Sequence, residues 1–528
     1  MIKDKKLMKI LEWLICIMLF LYLAIFGYMN MCKYAQHVDS DIAAEALLAR
    51  EIWQEKNLTP DDWIASTERY AVGMPTLAAL FYGITGSMQT AVGLACVLLG
   101  LCFLLAFYYF LRKLSIGRPA GMTALLVLCA LPINGWRNED QMVPFITLLL
   151  FLFADYYVLH SIYLFLSFLF YIQLRKQNKI SPKIMTEWAI LFVAGIALNL
   201  GGQRCLQVVI LPFFVMETIF LFLESGHCSK KIPAERFWAT GFVGSLILSF
   251  LISSIKGFRA SYVVYLQSPR EVMEKLLLTV PAAILENFGL DGGAKVGSFA
   301  SIMQMLIWVF LILLGYGIYY AVKNKEVTEE QKIALSYFGI SVGVTAFIIG
   351  FTTAEAAHYY FFMAWFGAAL IIALLVEHLA KNNNFLRGLI LAAVCLFALL
   401  NLKYTYYDAV TTEDNLKEYQ EVADFLEEEG IEYGYAEFWD AERICLITDG
   451  KVTMGHSYTM ANLSGYWWLT STKWYPPALP REMRTAYVVR TAQRDAFEQQ
   501  FDGKEAPALE YENDRLAVYI GDINYVDL

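Results

Sequence analysis

Two aspartates stand two positions apart in HVDSDIAAEALLARE, which runs from His37 to Glu51 and holds Asp39, Asp41, Glu45 and Glu51. Carboxylates gathered where a chain leaves an apolar run have three uses. They cap a helix, hold a metal ion, or accept a proton from an attacking hydroxyl. A second acidic pair, Glu139 and Asp140, lies in NGWRNEDQ. Together with Asp39 and Asp41 it offers the oxygen ligands that Mg2+ or Mn2+ prefers. Read as a helix, the opening stretch places Ile42, Ala43, Ala46, Leu47, Ala49, Ile52 and Trp53 on one side, with Glu45, Arg50, Glu51, Glu55 and Lys56 filling the other. That is the pattern of an amphipathic helix lying in a membrane interface. Asp39 or Ser40 would cap it, with Asp41 in its first turn. The glutamates are then the polar side of a helix, and Asp39 and Asp41 remain for chemistry.

The elements that must position these residues are membrane spans. Of 528 residues 58% are hydrophobic and only 17% charged, more apolar than an ordinary soluble domain. The net charge of −9, without basic tracts, excludes nucleic acid as a partner. Aromatics at 15% fit belts at the two membrane interfaces. The nine cysteines are scattered without metal or redox spacing, so neither a zinc site nor a disulfide framework is expected.

Eleven spans are expected, near 9–29, 90–111, 118–133, 142–174, 186–203, 206–223, 237–256, 301–322, 333–351, 359–378 and 386–403. The first run lacks a small-residue cleavage site and is read as a retained helix. The run 142–174 is too long for one simple crossing. It is read as a tilted, kinked helix, or as a crossing plus a lateral piece. With an odd number of crossings there, KDKK, RKLSIGR, RKQNK, SKK, KNK and Lys381 all fall on one side. That side is the cytoplasm, which puts the amino terminus inside and the carboxyl terminus outside.

The expected organisation is a transmembrane domain over 1–403, with a first outer loop at 30–89, and an extracytoplasmic α/β domain over 404–528. In the tail, Leu416, Tyr419, Val422, Ala423 and Leu426 share a helical face that Gly430 ends. Strands are expected at YGYAEFW, RICLIT, KVTMG, TAYVVR and LAVYI. Trp439, Trp467, Trp468, Trp474 and Tyr475 could stack against sugar rings, build the domain's core or dock it on a bilayer.

Several of these stretches resemble a family. DIAAEALLAREI, TPDDW and ERYAVGMPTLAALFYGITG look like the first outer loop of the GT-C glycosyltransferases, which include protein mannosyltransferases and lipid A aminoarabinose transferases. The resemblance places Asp41 at the family's catalytic aspartate. The usual second acid would fall at Ile42, so Asp39 is the substitute. NEDQMVPFITLLLFLFADYY resembles the segment with an acid at the outer start of the fourth span, here Asp140 beside Glu139. WAILFVAGIALNLGGQRCLQVVILP is similar to the fifth span, which ends in a basic residue near the lipid phosphate, here Arg204. AEAAHYYFFMAWFGAALIIAL resembles a late span that often opens with Arg-Tyr, and here has His358-Tyr359. The tail resembles those of clostridial membrane proteins of this type, which implies a bacterial plasma membrane.

The resemblance implies a polytopic α-helical GT-C-like enzyme that takes a hexosyl or pentosyl group from a polyprenyl-phosphate-type lipid and transfers it with inversion to a glycan, lipid or protein of the cell envelope. A carboxylate must take the acceptor's proton, and cations must stabilise the departing phosphate. Outer-side candidates are Arg137, Arg204, Arg259 and His358, besides Arg69 and Lys256. Arginine suits phosphate because its fork makes two parallel hydrogen bonds. A divalent ion on Glu139 and Asp140 would belong to a diphosphate donor. Two alternatives remain: a transporter or flippase of lipid-linked or polar substrates, and a GT-C fold without activity that serves envelope assembly. A transporter should bury charge near the midplane and often repeats its halves; here the charges gather at outer ends and no repeat is visible.

Overall fold

A computed structural model of the chain describes residues 2–33, 40–65, 72–130, 147–152, 157–177, 179–225, 234–255, 264–290, 295–379, 383–403, 416–501 and 505–526. Its contacts group into two units. One comprises Met1–Phe26, Leu99–Phe258 and Tyr262–Thr411; the other comprises Gly27–Leu98, Arg259–Ser261 and Thr412–Leu528. The grouping joins the first outer loop to the tail, where the sequence reading had attached that loop to the spans.

The first unit is helical. Among the described residues eight helices are long and apolar enough to cross a membrane: Met8–Cys32, Met88–Lys113, Leu206–Leu223, Arg236–Ser254, Ser301–Lys323, Glu329–Phe351, His358–His378 and Asn384–Asn401. Arg118–Ala130, Val158–Leu174 and Pro182–Asn199 are shorter or less apolar helices at three further expected positions. Each of the eleven expected spans thus contains a helix, and the chain is a multi-pass membrane protein.

The segments around Leu114–Gly117, Arg175–Lys176, Glu329–Gln331 and Glu377 share an end of this unit. Arg175 Nη2 reaches Glu329 Oε1 at 3.1 Å and Lys176 Nζ reaches Glu330 Oε1 at 2.7 Å. Gln331 Nε2 donates to the Leu114 carbonyl at 2.8 Å, and the Gly117 amide donates to Glu377 Oε2 at 2.9 Å. At the other end Asn401 Nδ2 donates to the Ala130 carbonyl at 2.6 Å. Between Ala130 and Arg175 the chain therefore makes one net crossing. The described part of the long apolar run holds a π-helical turn at Leu148–Leu152 and an α-helix at Val158–Leu174.

Lipid tails give no hydrophobic drive for helices to associate, so contact between side chains must hold them. Phe103, Phe107 and Phe110 follow one face of Met88–Lys113 and meet Phe165, Phe366 and Phe338 at ring-centroid distances of 5.2 to 6.1 Å. One ionic cluster is buried. Glu217 accepts from the Tyr171 hydroxyl at 2.5 Å and Thr240 Oγ1 at 2.7 Å, with Arg236 Nε 3.5 Å away. Arg236 is the third residue of Ala234–Ile255, so the pair lies toward the basic end and away from the middle of the span.

The second unit carries a five-stranded mixed sheet. We label β1 Trp63–Ile64, β2 Tyr433–Glu437, β3 Thr453–Ser457, β4 Thr470–Ser471, β5 Glu482–Arg490, β6 Ala508–Glu512 and β7 Leu516–Ile523. The sheet order is β3-β2-β5-β7-β6, with β2 parallel to β3 and β5, and β7 antiparallel to β5 and β6. The helix Lys417–Glu428 buries Tyr419, Val422, Ala423 and Leu426, as its spacing predicts, and Gly430 stops it at a φ of 65°. RICLIT is not a strand. It belongs to the helix Phe438–Ile447, because parallel neighbours such as β2 and β3 need a crossover between them.

A second correction concerns the opening stretch. The helix Ser40–Glu55 forms as expected, but it is no interfacial helix with a wet polar side. Every residue from Ile42 to Ile52 is buried, with Glu45, Arg50 and Glu51 only 1%, 7% and 6% exposed. Met74–Thr85 and Phe438–Ile447 both pack against it. Farther along the loop, β1 pairs antiparallel with β4, and the Thr472 amide donates to the Asp62 carbonyl at 2.9 Å.

Candidate functional site

Asp41 is the acidic residue in the first turn of Ser40–Glu55, half-buried. Ser40 is the first residue of that helix, and its hydroxyl donates to the Trp439 carbonyl at 3.0 Å. Asp41 Oδ1 accepts from the Trp468 indole Nε1–H at 3.3 Å, across 427 positions of chain. The carboxylate at the helix start is thus oriented by the tail. The aromatic group of the tail divides by role. Trp474 and Tyr475 are buried in its core, whereas Trp439 is 52% exposed and Trp467 39% exposed. Trp468 takes neither part, because it holds the acid.

Behind Trp468 lies a charge cluster that spacing could not reveal. Glu442 and His456 are both fully buried and bonded to each other through Glu442 Oε1 and His456 Nε2. The other ring nitrogen of His456 lies 3.1 Å from the Trp468 carbonyl. Both ring nitrogens therefore face acceptors. Either the imidazole is protonated and donates twice, or Glu442 carries the proton toward Nε2. Burial pushes the Glu442 carboxyl above its ordinary range; His456 and then Arg50 oppose that, and Asp41 adds to it. The pair shares one proton inside the domain, and Trp468 links it to Asp41 with its carbonyl on one side and its indole on the other.

Arg50 fixes the far half of the same helix. Nη1 donates to the Gly450 carbonyl at 2.7 Å, and Nη2 meets Glu51 Oε1 at 3.2 Å. Gly450 has a φ of 74°, and a Cβ there would come within 2.0 Å of Arg50 Nη1, so this turn favours glycine. Arg50→Ala is expected to destabilise the second unit by about 1.5–3 kcal/mol, the usual worth of a hydrogen bond to a charged group. Thermal unfolding of the purified full chain measures this.

Arg204 stands in the first unit, where the chain turns from Pro182–Asn199 into the π-helical turn Leu206–Ile210. Gly202 makes that turn at a φ of 149°, a conformation that side chains avoid. The Arg204 guanidinium lies 5.4 Å from the centroid of the Tyr157 ring, a cation–π contact that holds it without cancelling its charge. The Tyr157 ring lies 4.4 Å from Phe362, in the segment that His358 begins. The Tyr157 ring thus lies between Arg204 and the helix that His358 opens. His358 itself has a carboxylate beside it, with Nδ1 3.4 Å from Glu286 Oε1. Nearby, Lys275 Nζ donates to the carbonyls of Thr352 at 2.9 Å and Ala354 at 2.7 Å, where its charge complements the end of Glu329–Phe351.

Asp39, Arg137, Glu139, Asp140 and Arg259 lie outside the described residues. Among the described residues no group of three or more His, Cys, Asp or Glu side chains could hold a metal ion. No step below is routed through a metal. Asp41 belongs to one unit and Arg204 and His358 to the other.

No family model matches the sequence, and no curated protein matches it. The fold does have counterparts. ArnT from Cupriavidus metallidurans bound to undecaprenyl phosphate superposes with a TM-score of 0.52 at 9% identity, covering 96% of this chain and 97% of that one. The same protein in the apo state gives a TM-score of 0.41 at 10% identity over 96% and 97% of the two chains. Arabinofuranosyltransferase AftD from mycobacteria gives 0.42 at 10% identity, covering 97% of this chain and 40% of that one. The first of these carries the fold: at a TM-score of 0.52 over nearly the whole of both chains, this chain shares the fold of that structure.

Proposed function

We propose that the chain is a GT-C glycosyltransferase that moves a sugar from a polyprenyl-phosphate-type donor to a cell-envelope acceptor on the outer face of the membrane. The observation that carries this reading is the placement of Asp41. In a fold shared over nearly the whole chain with a protein that binds undecaprenyl phosphate, the one described carboxylate that the sequence singled out is half-exposed at a helix start and held by a donor.

In this reading Asp41 is the general base. An acceptor hydroxyl attacks the anomeric carbon as its proton passes to the Asp41 carboxylate, and the bond to the donor phosphate breaks with inversion at that carbon. The departing lipid phosphate takes the bonding pair. Arg204, held against the Tyr157 ring, supplies the two-pronged donor for it. His358 joins it when protonated, in competition with Glu286. A divalent ion on Glu139 and Asp140 would serve a diphosphate donor.

The test is transfer by purified protein from a panel of polyprenyl-phosphate sugars, read as release of the polyprenyl phosphate. Release from none of the panel in the presence of envelope acceptors overturns the proposal. Trp468→Phe keeps the ring and removes the N–H that steadies the carboxylate. Loss of a hydrogen bond to a charged group is worth about 1.5–3 kcal/mol. The acid limb of the pH–rate profile should move to higher pH, because the charged form of Asp41 loses a donor. A profile identical to wild type would leave Trp468 a packing residue only.

A further inference from the structure

At the basic end of the first unit, away from Arg204 and His358, a cavity of about 340 Å³ opens beside the first helix. Its walls come from two helices far apart in the chain. Lys9, Glu12, Trp13 and Ile15 lie on Ile2–Cys32, and Arg118 and Met122 on Arg118–Ala130. Nothing in the proposed reaction uses these residues.

The charge of the cavity is unbalanced. Glu12 is matched by Arg387, whose Nη2 lies 3.1 Å from Glu12 Oε1. Lys9 and Arg118 form no ion pair or hydrogen bond among the described residues. Among the described residues, Lys9 and Arg118 thus face the cavity without an ion-pair partner, while the Glu12 that shares the wall is taken up by Arg387. The remaining wall is apolar, and Trp13 on its rim is 70% exposed on a helix long and apolar enough to span. Tryptophan prefers the depth where lipid headgroups begin, and lysine and arginine reach the same depth from helix ends. A soluble anion would use the cations and waste the apolar wall. A lipid uses both, its phosphodiester between Lys9 and Arg118 and its chains along Trp13 and Met122.

We infer that this cavity binds the headgroup of an anionic glycerophospholipid. Basic recesses between spanning helices on the cytoplasmic side hold such headgroups. The site is independent of the catalytic reading, and either can fail without the other.

The experiment uses the full chain purified in a neutral detergent. Phosphatidylglycerol, phosphatidylcholine and inorganic phosphate are each titrated while thermal unfolding is followed. Phosphatidylglycerol is expected to raise the melting temperature, with phosphatidylcholine far weaker, because a ligand of the folded state stabilises it by mass action. In the double variant Lys9→Gln with Arg118→Gln, the half-maximal concentration should rise about 30-fold, at about fivefold per cation. Trp13→Ala should weaken phosphatidylglycerol and leave any response to inorganic phosphate unchanged. Equal shifts with phosphatidylcholine overturn the proposal, as does an unchanged midpoint in the double variant. An equal response to inorganic phosphate also overturns it, in favour of a soluble-anion site. A double variant with wild-type melting before lipid is added shows an intact fold; one that melts lower is replaced by Arg118→Lys, whose smaller loss of lipid response must still exceed that of Lys113→Gln outside the cavity.

Discussion

Asp41→Asn is expected to lower the rate of sugar transfer by about 10²–10⁴-fold, the range that a positioned general base supplies. The substitution is nearly isosteric, and the amide oxygen can still accept from Trp468 Nε1, so the start of the helix Ser40–Glu55 stays as it is. What disappears is the ability to take a proton. The loss should fall on the chemical step, with donor binding and thermal stability near wild type. Single-turnover transfer separates chemistry from binding. Wild-type turnover in Asp41→Asn would remove Asp41 from the reaction.

Arg204→Ala should reduce kcat/KM by about 10²–10³-fold, as when a preorganised donor to a developing oxyanion is lost. Part of this loss should appear in donor affinity, because the phosphate is charged in the ground state as well. Arg204→Lys keeps the charge but loses the planar fork and much of the stacking on Tyr157, so it should restore only a fraction. Melting should change little, since Arg204 is half-exposed. His358 offers a useful contrast. Glu286 beside it already offsets part of its charge, so its removal should cost less than that of Arg204. Equal losses for the two residues would mean that the phosphate does not meet Arg204 first.

Hydropathy made the helical unit legible, because a span must satisfy its backbone internally and show only apolar side chains to lipid. The basic loops gave its two ends for the same reason, and the contacts of Arg175, Gln331 and Glu377 agree. Where burial came from another part of the chain, the reading failed. Glu45, Arg50 and Glu51 have a helical period, and the period says which residues are polar but not what faces them. Their neighbours are in the tail, with Gly450 exactly 400 positions from Arg50. RICLIT fits strand and helix alike in six residues; only the parallel pairing of β2 with β3 decides between them. The Glu442–His456 pair left no mark in local sequence, since its members are 14 residues apart on a helix and a strand.

The two-stranded ladder of β1 and β4 also sets a timetable. During synthesis the first loop leaves the ribosome some four hundred residues before Ser471 and Thr470 exist to pair with it. Until then the helix bearing Asp41 has no Trp468 to orient it and no Gly450 for Arg50, so its charges stand in water while the spans are inserted one after another. Contacts so distant in sequence form last and slowly. Under the proposed function, a half-made chain has no oriented base, and inserting the bundle and arming the proposed chemistry would be separate events in its life.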